Sequence, residues 1–209
     1  DGALPRGGKA GRPGYILPED PKRMDIAAPL AMDCEMVGVG DDGKKSVLAR
    51  VSIVDFHGNV VIDSYVAPQE KVTDLRTWVS GIRWQDLKGA PKFMDVQKVV
   101  GHITNGRVII GHSLSNDLEA LMLKHPKTLI RDTAKFKPYM RGKRARKLRD
   151  LVKEELGLQI QSGEHSSVED ARSALLLYKQ VRVGWEKELE DTAQKLAKFS
   201  KKKPGQTAK

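Results

Sequence analysis

The sequence predicts a mixed α/β domain in which helices pack against a sheet. Residues 29–68 contain three short apolar segments separated by turn residues, which is typical of consecutive strands. From residue 92 onward, segments with helical spacing of apolar residues alternate with short apolar runs of strand length. Strands followed by a helix, a strand and further helices favour a sheet covered by helices. The 209 residues fit one such domain with tails, or two very small domains.

The first three strands are predicted at 29–37, 46–56 and 58–68. The segment DDGKK (41–45) connects the first two strands, and HGN (57–59) connects the second and third. Asp, Asn and Gly favour tight turns, and short connections join antiparallel neighbours. The domain is therefore expected to open with a three-stranded antiparallel meander.

The second half is predicted to contain helices and short strands in alternation. Helices are predicted at 92–104, 115–125 and 147–157, the last of them ended by Gly157. Short strands are predicted at 107–113 and 129–133. A long helix, or a broken pair of helices, is predicted from residue 166 to about 199.

Composition marks the regions outside this domain. Residues 1–28 are rich in Gly and Pro, which indicates an extended arm, and the domain itself is predicted at 29–190. A basic tail is predicted at 191–209. The run 195–209 has six lysines and no acid, so we expect a disordered segment suited to nucleic-acid contact or nuclear targeting. A solvated helix end is the alternative.

Charge and cysteine content narrow the function classes. The net charge of +10 favours a polyanionic partner such as nucleic acid, although a merely solvated basic surface is an alternative. The single cysteine, Cys34, excludes an internal disulfide and favours a reducing compartment. The sequence has no apolar run of about 18 residues and no visible signal peptide, so no membrane partner is expected. Because the chain begins with Asp1, we expect a fragment or a processed product.

Five polar residues lie where sheet proteins gather functional groups. Asp33 and Glu35 are two positions apart in the first strand, so their carboxylates point to one face. Asp117 follows a strand at a helix start, Asp170 lies in the first turn of the long helix, and His165 precedes that helix. Converging carboxylates require cations, and oxygen ligands suit Mg²⁺ or Mn²⁺. Two such ions about 4 Å apart cleave phosphodiesters, with a neutral imidazole suited to take the proton of the attacking water.

Each of these residues also has an ordinary structural explanation. A single Asp-x-Glu in a strand is weak evidence for a metal, Asp117 alone fits a helix cap, and Asp170 alone favours the helix dipole. Taken alone, His165 is more typical of a surface or capping residue. The joint order of the residues is what favours a metal site with a general base.

Three motifs in this order, DCEMVG (33–38), GHSLSND (111–117) and HSSVEDA (165–171), resemble those of the DEDDh 3′→5′ exonucleases of the ribonuclease H-like superfamily. Within it, the sequence is similar above all to the group of RNA exonuclease 4 and the interferon-stimulated 20 kDa exonuclease. Further similar segments include LARVSIVD (48–55), VTDLRTWVSGIR (72–83) and GRVIIGH (106–112). The resemblance covers roughly residues 29–186.

The resemblance implies a ribonuclease H-like mixed sheet of about five strands, the first three antiparallel, flanked by helices. It implies that Asp33, Glu35 and Asp170 ligate the metal that activates water. Asp33, together with Asp117 through water, would hold the second ion, and His165 would be the general base. The products would be nucleoside 5′-monophosphates released from a free 3′ end. None of the five residues departs from the family pattern.

Five further residues are predicted to bind substrate, each with a structural alternative. Met36 is expected to wedge against the terminal base or ribose, or to pack in the core if the strand stays regular. Arg76 is expected to contact a ribose 2′-hydroxyl or a phosphate, or to form a salt bridge. For His112, packing or hydrogen bonding is favoured over substrate contact. Lys143 and Arg144 lie in RGKRARKLR (141–149), which is predicted as a phosphate track or alternatively as a helix start.

Other residues near the motifs are assigned structural roles. Gly38 and Gly40, after Met36, are expected to bend the first strand and leave room for a ribose. Arg131 and Asp132 are expected to form a buried ion pair. Two tryptophans, Trp78 and Trp84, are expected in the core, with base stacking as the alternative.

The predicted function is that of a metal-dependent 3′→5′ exoribonuclease in the nucleus, within the nucleolus. The resemblance implies trimming of precursor ribosomal RNA, with single-stranded RNA 3′ ends and pre-ribosomal particles as partners. A DNA exonuclease in repair is one alternative. A ribosome-assembly factor that acts mainly by binding RNA is another.

Overall fold

Six strands form one sheet in the computed structural model, which describes residues 26–201 and the side chains of residues 26–198. The strands are β1 (Leu30–Val39), β2 (Lys45–Val54), β3 (Val60–Tyr65), β4 (Val72–Asp74), β5 (Ile109–Gly111) and β6 (Ile130–Asp132). Their order is β3-β2-β1-β5-β6, and β4 pairs with the end of β1. The first three strands are antiparallel, whereas β5 is parallel to β1 and β6 is parallel to β5. The predicted mixed sheet with an antiparallel meander is confirmed.

Helices cover both faces of this sheet. They are α1 (Thr77–Ser80), α2 (Trp84–Leu87), α3 (Phe93–Thr104), α4 (Leu114–Ala120), α5 (Leu148–Leu156) and α6 (Ser167–Lys201). Leu30 and Met32 of β1 join a core with α3 and α4, whereas Ala31 joins a second core with α5 and α6. The alternation of β1 side chains therefore divides the apolar core into two layers. Within residues 26–201, no helix combines the length and hydropathy needed to cross a bilayer.

Some elements differ from the sequence prediction. Strand β4 was not predicted, because three residues are too few to show an alternating pattern. The helix predicted to run to 125 ends at Ala120, and Met122 has a left-handed backbone with φ of 51°. The disorder predicted for 195–209 is wrong for residues 195–201, which continue α6. Residues 1–25 of the predicted arm and 202–209 of the predicted tail lie outside the described residues, and the domain boundaries stay predictions.

An irregularity in the β1–β2 pairing occurs next to the predicted acid pair. Glu35 is opposite Arg50, but Met36 is opposite Leu48, so Ala49 is an extra residue on β2. The bulge therefore lies on β2, and β1 keeps its alternation. Met36 is partly buried against the core that contains Met32, on the side opposite to the acids.

Gly38 has a role different from the one predicted. A Cβ at this position would overlap the carbonyl oxygen of Gly43 and crowd Asp74. The space beside Gly38 is thus taken by the β1–β2 turn and by β4. It does not accommodate a ribose.

Candidate active site

Three carboxylates converge on the face of the sheet that α6 covers. Asp33 and Glu35 project from β1 to this face, as does Ala31, which packs with α6. Asp170 lies in the first turn of α6. One oxygen of each of these three carboxylates lies within 4.8 Å of the other two. The structure therefore brings together three of the four acids that the sequence predicts as metal ligands.

Two of the three carboxylates have an oxygen that no other group satisfies. Glu35 is 6% exposed and Asp170 is 4% exposed. Among the described residues, Glu35 Oε1 and Asp170 Oδ1 have no hydrogen-bond partner. Leaving buried polar atoms unpaired costs free energy, and clustered carboxylate oxygens suit a hard divalent cation. The donor set therefore fits a divalent metal site.

Burial and mutual repulsion favour protonation of these acids. Burial and, next, the charge of Asp170 raise the pKa of Glu35 to about 8. Burial raises the pKa of Asp170 itself to about 7. Burial and the charges of three neighbouring acids raise the pKa of Asp33. Without a cation, the site therefore retains protons near neutral pH.

Asp117 lies beside this cluster. It is 4% exposed in the first turn of α4. Its carboxylate accepts hydrogen bonds from the thiol and the backbone N–H of Cys34, although burial still raises its pKa to about 7. The Cys34 N–H is available because β5 pairs only with the start of β1 and β4 only with its end. Since the charge of Asp117 contributes to the raised pKa of Asp33, this acid is an electrostatic neighbour of the cluster.

His165 is held next to the carboxylates. Its Nδ1 lies 3.7 Å from Oδ2 of Asp170, and its side chain is 31% exposed. Its backbone N–H donates to the Val79 carbonyl oxygen at 2.8 Å, which ties the loop to α1. Burial and the nearby charge of Arg149 lower the pKa of His165. A neutral, accessible imidazole in this position is suited to accept a proton.

Arg50 is a positive charge near the acids that the sequence analysis missed. Its Nε and Nη2 donate to the two oxygens of Asp63 at 2.8 and 2.9 Å. Its charge opposes the increase in pKa that burial causes in Glu35 and Asp33. Because Asp63 already binds the guanidinium, Arg50 offsets only part of the repulsion. The sequence signal was an arginine inside an otherwise apolar strand pattern.

Gln161 is a second residue that the sequence analysis missed. Its Nε2 donates to Oδ2 of Asp170 at 2.7 Å, and its backbone is left-handed with φ of 53°. This hydrogen bond fixes one oxygen of Asp170. The other oxygen, Oδ1, has no hydrogen-bond partner among the described residues. The polar segment QSGEHSS (161–167) before α6 was the available signal.

A cleft of about 770 Å³ lies over the carboxylates. Arg76 and Trp78, at the start of α1, are among the lining residues. Residues 145–149 also belong to the lining and include the exposed side chains of Lys147 and Arg149. The cleft thus combines an acidic cluster with basic side chains, so it suits an anionic chain that meets cations at the carboxylates.

Arg76 is engaged with the protein itself. Its Nη1 donates to Ser46 Oγ at 2.7 Å, and Nη2 donates to the Gly43 carbonyl oxygen at 2.8 Å and the Lys44 carbonyl oxygen at 3.2 Å. It lines the cleft, as the predicted substrate contact requires, but its guanidinium anchors the β1–β2 turn. These contacts are not the salt bridge that was predicted as the alternative, because a hydroxyl and two backbone carbonyl oxygens carry no charge.

His112 and Met36 both line the cleft. His112 Nδ1 lies 2.9 Å from Thr133 Oγ1, and Nε2 lies 2.9 Å from the Arg146 carbonyl oxygen. Both ring nitrogens are thus engaged, which agrees with the favoured hydrogen-bonding role, and burial lowers the pKa of His112. Met36 is half-buried, so it combines core packing with an exposed part at the cleft.

The basic segment 141–149 divides into two parts. Lys143 and Arg144 are exposed on a tight turn closed by hydrogen bonds between Arg141 and Arg144, and they do not line the cleft. Arg146 lines it, but its guanidinium lies 2.6 Å from Glu154 and 2.9 Å from Glu155. Lys147 and Arg149 are the exposed basic residues at the cleft.

The expected Arg131–Asp132 ion pair is absent. Arg131 instead makes two hydrogen bonds of 2.7 Å with Glu186 of α6. Asp132 Oδ1 accepts the backbone N–H of Ser113 at 2.7 Å. Adjacent residues of a strand point to opposite faces, so Arg131 and Asp132 cannot meet.

The two tryptophans expected in the core are on the surface. Trp78 is 80% exposed on α1 and Trp84 is 61% exposed on α2. Their helices have only four residues each, too few to show which face is buried.

Comparison with known protein families identifies the class of protein to which this chain belongs. The family model named Exonuclease, RNase_T, matches residues 30–178. The chain therefore belongs to this exonuclease family.

Individual curated relatives show which exonucleases the chain is similar to. The chain is 54% identical over 164 residues to RNA exonuclease 4 of Mycosarcoma maydis, covering 77% of this chain and 44% of that protein. It is 51% identical over 170 residues to RNA exonuclease 4 of Saccharomyces cerevisiae, covering 79% and 58% respectively. The chain thus spans about half the length of these relatives.

Solved structures share the fold. The Saccharomyces cerevisiae PAN2 pseudoubiquitin-hydrolase–RNase module has a TM-score of 0.70 at 30% identity, covering 94% of this chain and 35% of that chain. The same yeast module in complex with A7 RNA has a TM-score of 0.67 at 31% identity, covering 90% and 37%.

Proposed function

We propose that this chain is a catalytic domain that degrades RNA from its 3′ end and releases nucleoside 5′-monophosphates, using two Mg²⁺ or Mn²⁺ ions. The observation that carries the proposal is the cluster of Asp33, Glu35 and Asp170, with unsatisfied buried oxygens beside His165. The relatives named RNA exonuclease 4, together with the similar yeast module bound to RNA, support RNA as the substrate.

The proposed roles follow from the geometry. Asp33, Glu35 and Asp170 hold the cations, and Asp117 contributes through water. Bound divalent ions supply positive charge at the attacking and leaving oxygens of a phosphodiester and acidify water. Gln161 fixes Oδ2 of Asp170, so that Oδ1 remains for ligation. His165 accepts the proton that the attacking water loses, because its lowered pKa keeps it neutral at pH 7.

The walls of the cleft hold the strand. Lys147 and Arg149 bind the phosphates nearest to the site, because they are the basic side chains exposed at the cleft. Lys143 and Arg144 contact phosphates farther along the strand. Met36 is proposed to contact the terminal nucleotide with its exposed part.

The cellular role is proposed as trimming of precursor ribosomal RNA in the nucleolus, with pre-ribosomal particles as partners. The net charge of +10 and the sequence resemblance to the RNA exonuclease 4 group support it. Depletion of the protein should then lengthen the 3′ ends of an rRNA precursor, and a tagged protein should localise to the nucleolus.

The central experiment compares matched RNA and DNA oligonucleotides, labelled at the 5′ or the 3′ end, with Mg²⁺, Mn²⁺ or EDTA. A 5′-labelled RNA should shorten one nucleotide at a time, while a 3′-labelled RNA should release labelled mononucleotide at once. EDTA should stop both reactions.

Other outcomes distinguish the alternatives. Faster degradation of DNA than of RNA would identify a DNA exonuclease. Tight RNA binding without nucleotide release in either metal would indicate an assembly factor. Internal cleavage products would contradict an exonuclease altogether.

A further inference from the structure

The exposed Trp78 lies at the cleft, on a backbone segment that hydrogen bonds hold in place. Its helix is held by Ser80, whose Oγ donates to the Leu75 carbonyl oxygen at 2.9 Å, and by the His165 N–H, which donates to the Val79 carbonyl oxygen at 2.8 Å. Arg76, the residue just before this helix, is fixed by three hydrogen bonds to the β1–β2 turn and the start of β2. The segment that carries Trp78 is therefore tied directly to the loop of the candidate general base.

The position of this indole indicates what it contacts. Trp78 is 80% exposed, yet it lines the same cleft as the acidic cluster. Lys147 and Arg149, both exposed, belong to the same lining. An exposed aromatic ring in a groove that also contains basic side chains is the combination that binds single-stranded nucleic acid, because bases stack on the ring while phosphates meet the cations. A double helix has no unstacked base to offer.

We propose that Trp78 is a substrate-positioning residue on which an unpaired base of the RNA strand stacks, upstream of the nucleotide being released. This inference rests on the proposed function. Because stacking uses the face of the ring, it is tolerant of base identity and favours unpaired 3′ ends over paired ones. Trp84, also exposed but on α2 and outside the cleft lining, provides a matched control.

Binding is measured by anisotropy of a fluorescent single-stranded RNA in EDTA, so that no cleavage occurs. Trp78→Ala should raise Kd by about 5–150-fold, the range for loss of one stacked base. Trp78→Phe should recover most of the affinity, whereas Trp84→Ala should change Kd by less than about twofold. Unchanged melting temperatures would confirm that the variants are folded. In Mg²⁺, Trp78→Ala should raise KM with little change in kcat.

Fluorescence provides a direct signature of stacking. A Trp84→Phe protein retains Trp78 and the buried Trp185, and RNA should quench its emission. RNA should not quench a Trp78→Phe protein. An oligonucleotide series with one abasic site per position should lose the Trp78-dependent affinity at a single position.

The outcomes separate this proposal from the proposed function. Wild-type protein that binds and degrades RNA, with neither a Trp78→Ala effect on Kd nor quenching, would overturn the stacking role alone. Loss of affinity that Trp78→Phe does not restore would also overturn it. Wild-type protein that neither binds RNA nor releases nucleotides would overturn both.

Discussion

Glu35 on β1 and Asp63 on β3 are acids on the two strands that flank β2, which carries Arg50, but their oxygens have different partners. Asp63 accepts two hydrogen bonds from Arg50, at 2.8 and 2.9 Å, and one from the Ser52 hydroxyl at 2.9 Å. Glu35 Oε1 has no hydrogen-bond partner within the described part of the chain. The full pairing of Asp63 indicates an acid that stabilises the fold, whereas the unpaired oxygen of Glu35, within a cluster of three carboxylates, fits a cation ligand.

Asp55 follows the pattern of Asp63. One of its oxygens accepts the backbone N–H groups of His57 and Asn59 at 2.8 and 2.9 Å, and the other accepts Asn59 Nδ2 at 3.1 Å. Asp55 therefore closes the β2–β3 turn. Burial alone does not separate it from Glu35, since Asp55 is 8% exposed and Glu35 is 6% exposed.

The largest contrast is expected between Asp33→Asn and Asp63→Ala. Asp33→Asn should abolish nucleotide release, because a ligand is lost. It should leave the metal-free protein equally or more stable, because repulsion falls. Asp63→Ala should lower the free energy of unfolding by about 3 kcal/mol, because Arg50 loses its partner in a largely buried site. Urea unfolding in EDTA and nucleotide release in Mg²⁺ measure the two effects. A stable Asp63→Ala protein, or an active Asp33→Asn protein, would invalidate the distinction.

Next in size is the effect of His165→Ala. Removing a general base should lower kcat by roughly 10²–10⁴-fold while the protein stays folded. Because the pKa of His165 is lowered from its ordinary value, the wild-type rate should be level at neutral pH and should fall only as the pH drops below that ordinary value. His57→Ala, which changes an exposed histidine outside the cleft, is the control and should retain full activity. Equal rates for His165→Ala and wild type across pH 6–8 would exclude His165 as the base.

The sequence predicted those parts of the fold and site that depend on local pattern. Period-two alternation placed Asp33 and Glu35 on one face, and the helix start before Asp170 placed that acid at an accessible end. It did not predict the Arg50–Asp63 pair, because cross-strand register decides which residues meet. The exposure of Trp78 was missed for a related reason, since one turn of helix has no readable periodicity.

Metal binding should produce a smaller, stabilising effect. Saturating Mg²⁺ or Mn²⁺ should raise the free energy of unfolding, by about 2.7 kcal/mol at a hundredfold excess over Kd. The increase should vanish in Glu35→Gln, which removes a ligand charge from the cluster. It should persist in Glu164→Gln, since Glu164 is an exposed acid paired with Arg83 outside the cluster. Thermal or urea unfolding with and without metal measures the difference, and equal stabilisation of both variants would place the cation elsewhere.

For each titrating group taken singly, the smallest effect is the pH dependence of the metal-free protein. Folding raises the pKa of Glu35 to about 8 and the pKa values of Asp117 and Asp170 to about 7. Between about pH 4 and 8 the folded state therefore binds more protons than the unfolded chain, so stability must fall as pH rises. Each proton contributes at most about 1.4 kcal/mol per pH unit, and the slope should flatten above pH 8. Urea unfolding in EDTA from pH 5 to 9 measures this slope, which Glu35→Gln should reduce. Because cations displace the same protons, stabilisation by Mg²⁺ should be greater at pH 8 than at pH 6. Stability that increases from pH 5 to 8 in EDTA would mean that the cluster is already ionised, and that Arg50 neutralises Glu35 as well as Asp63.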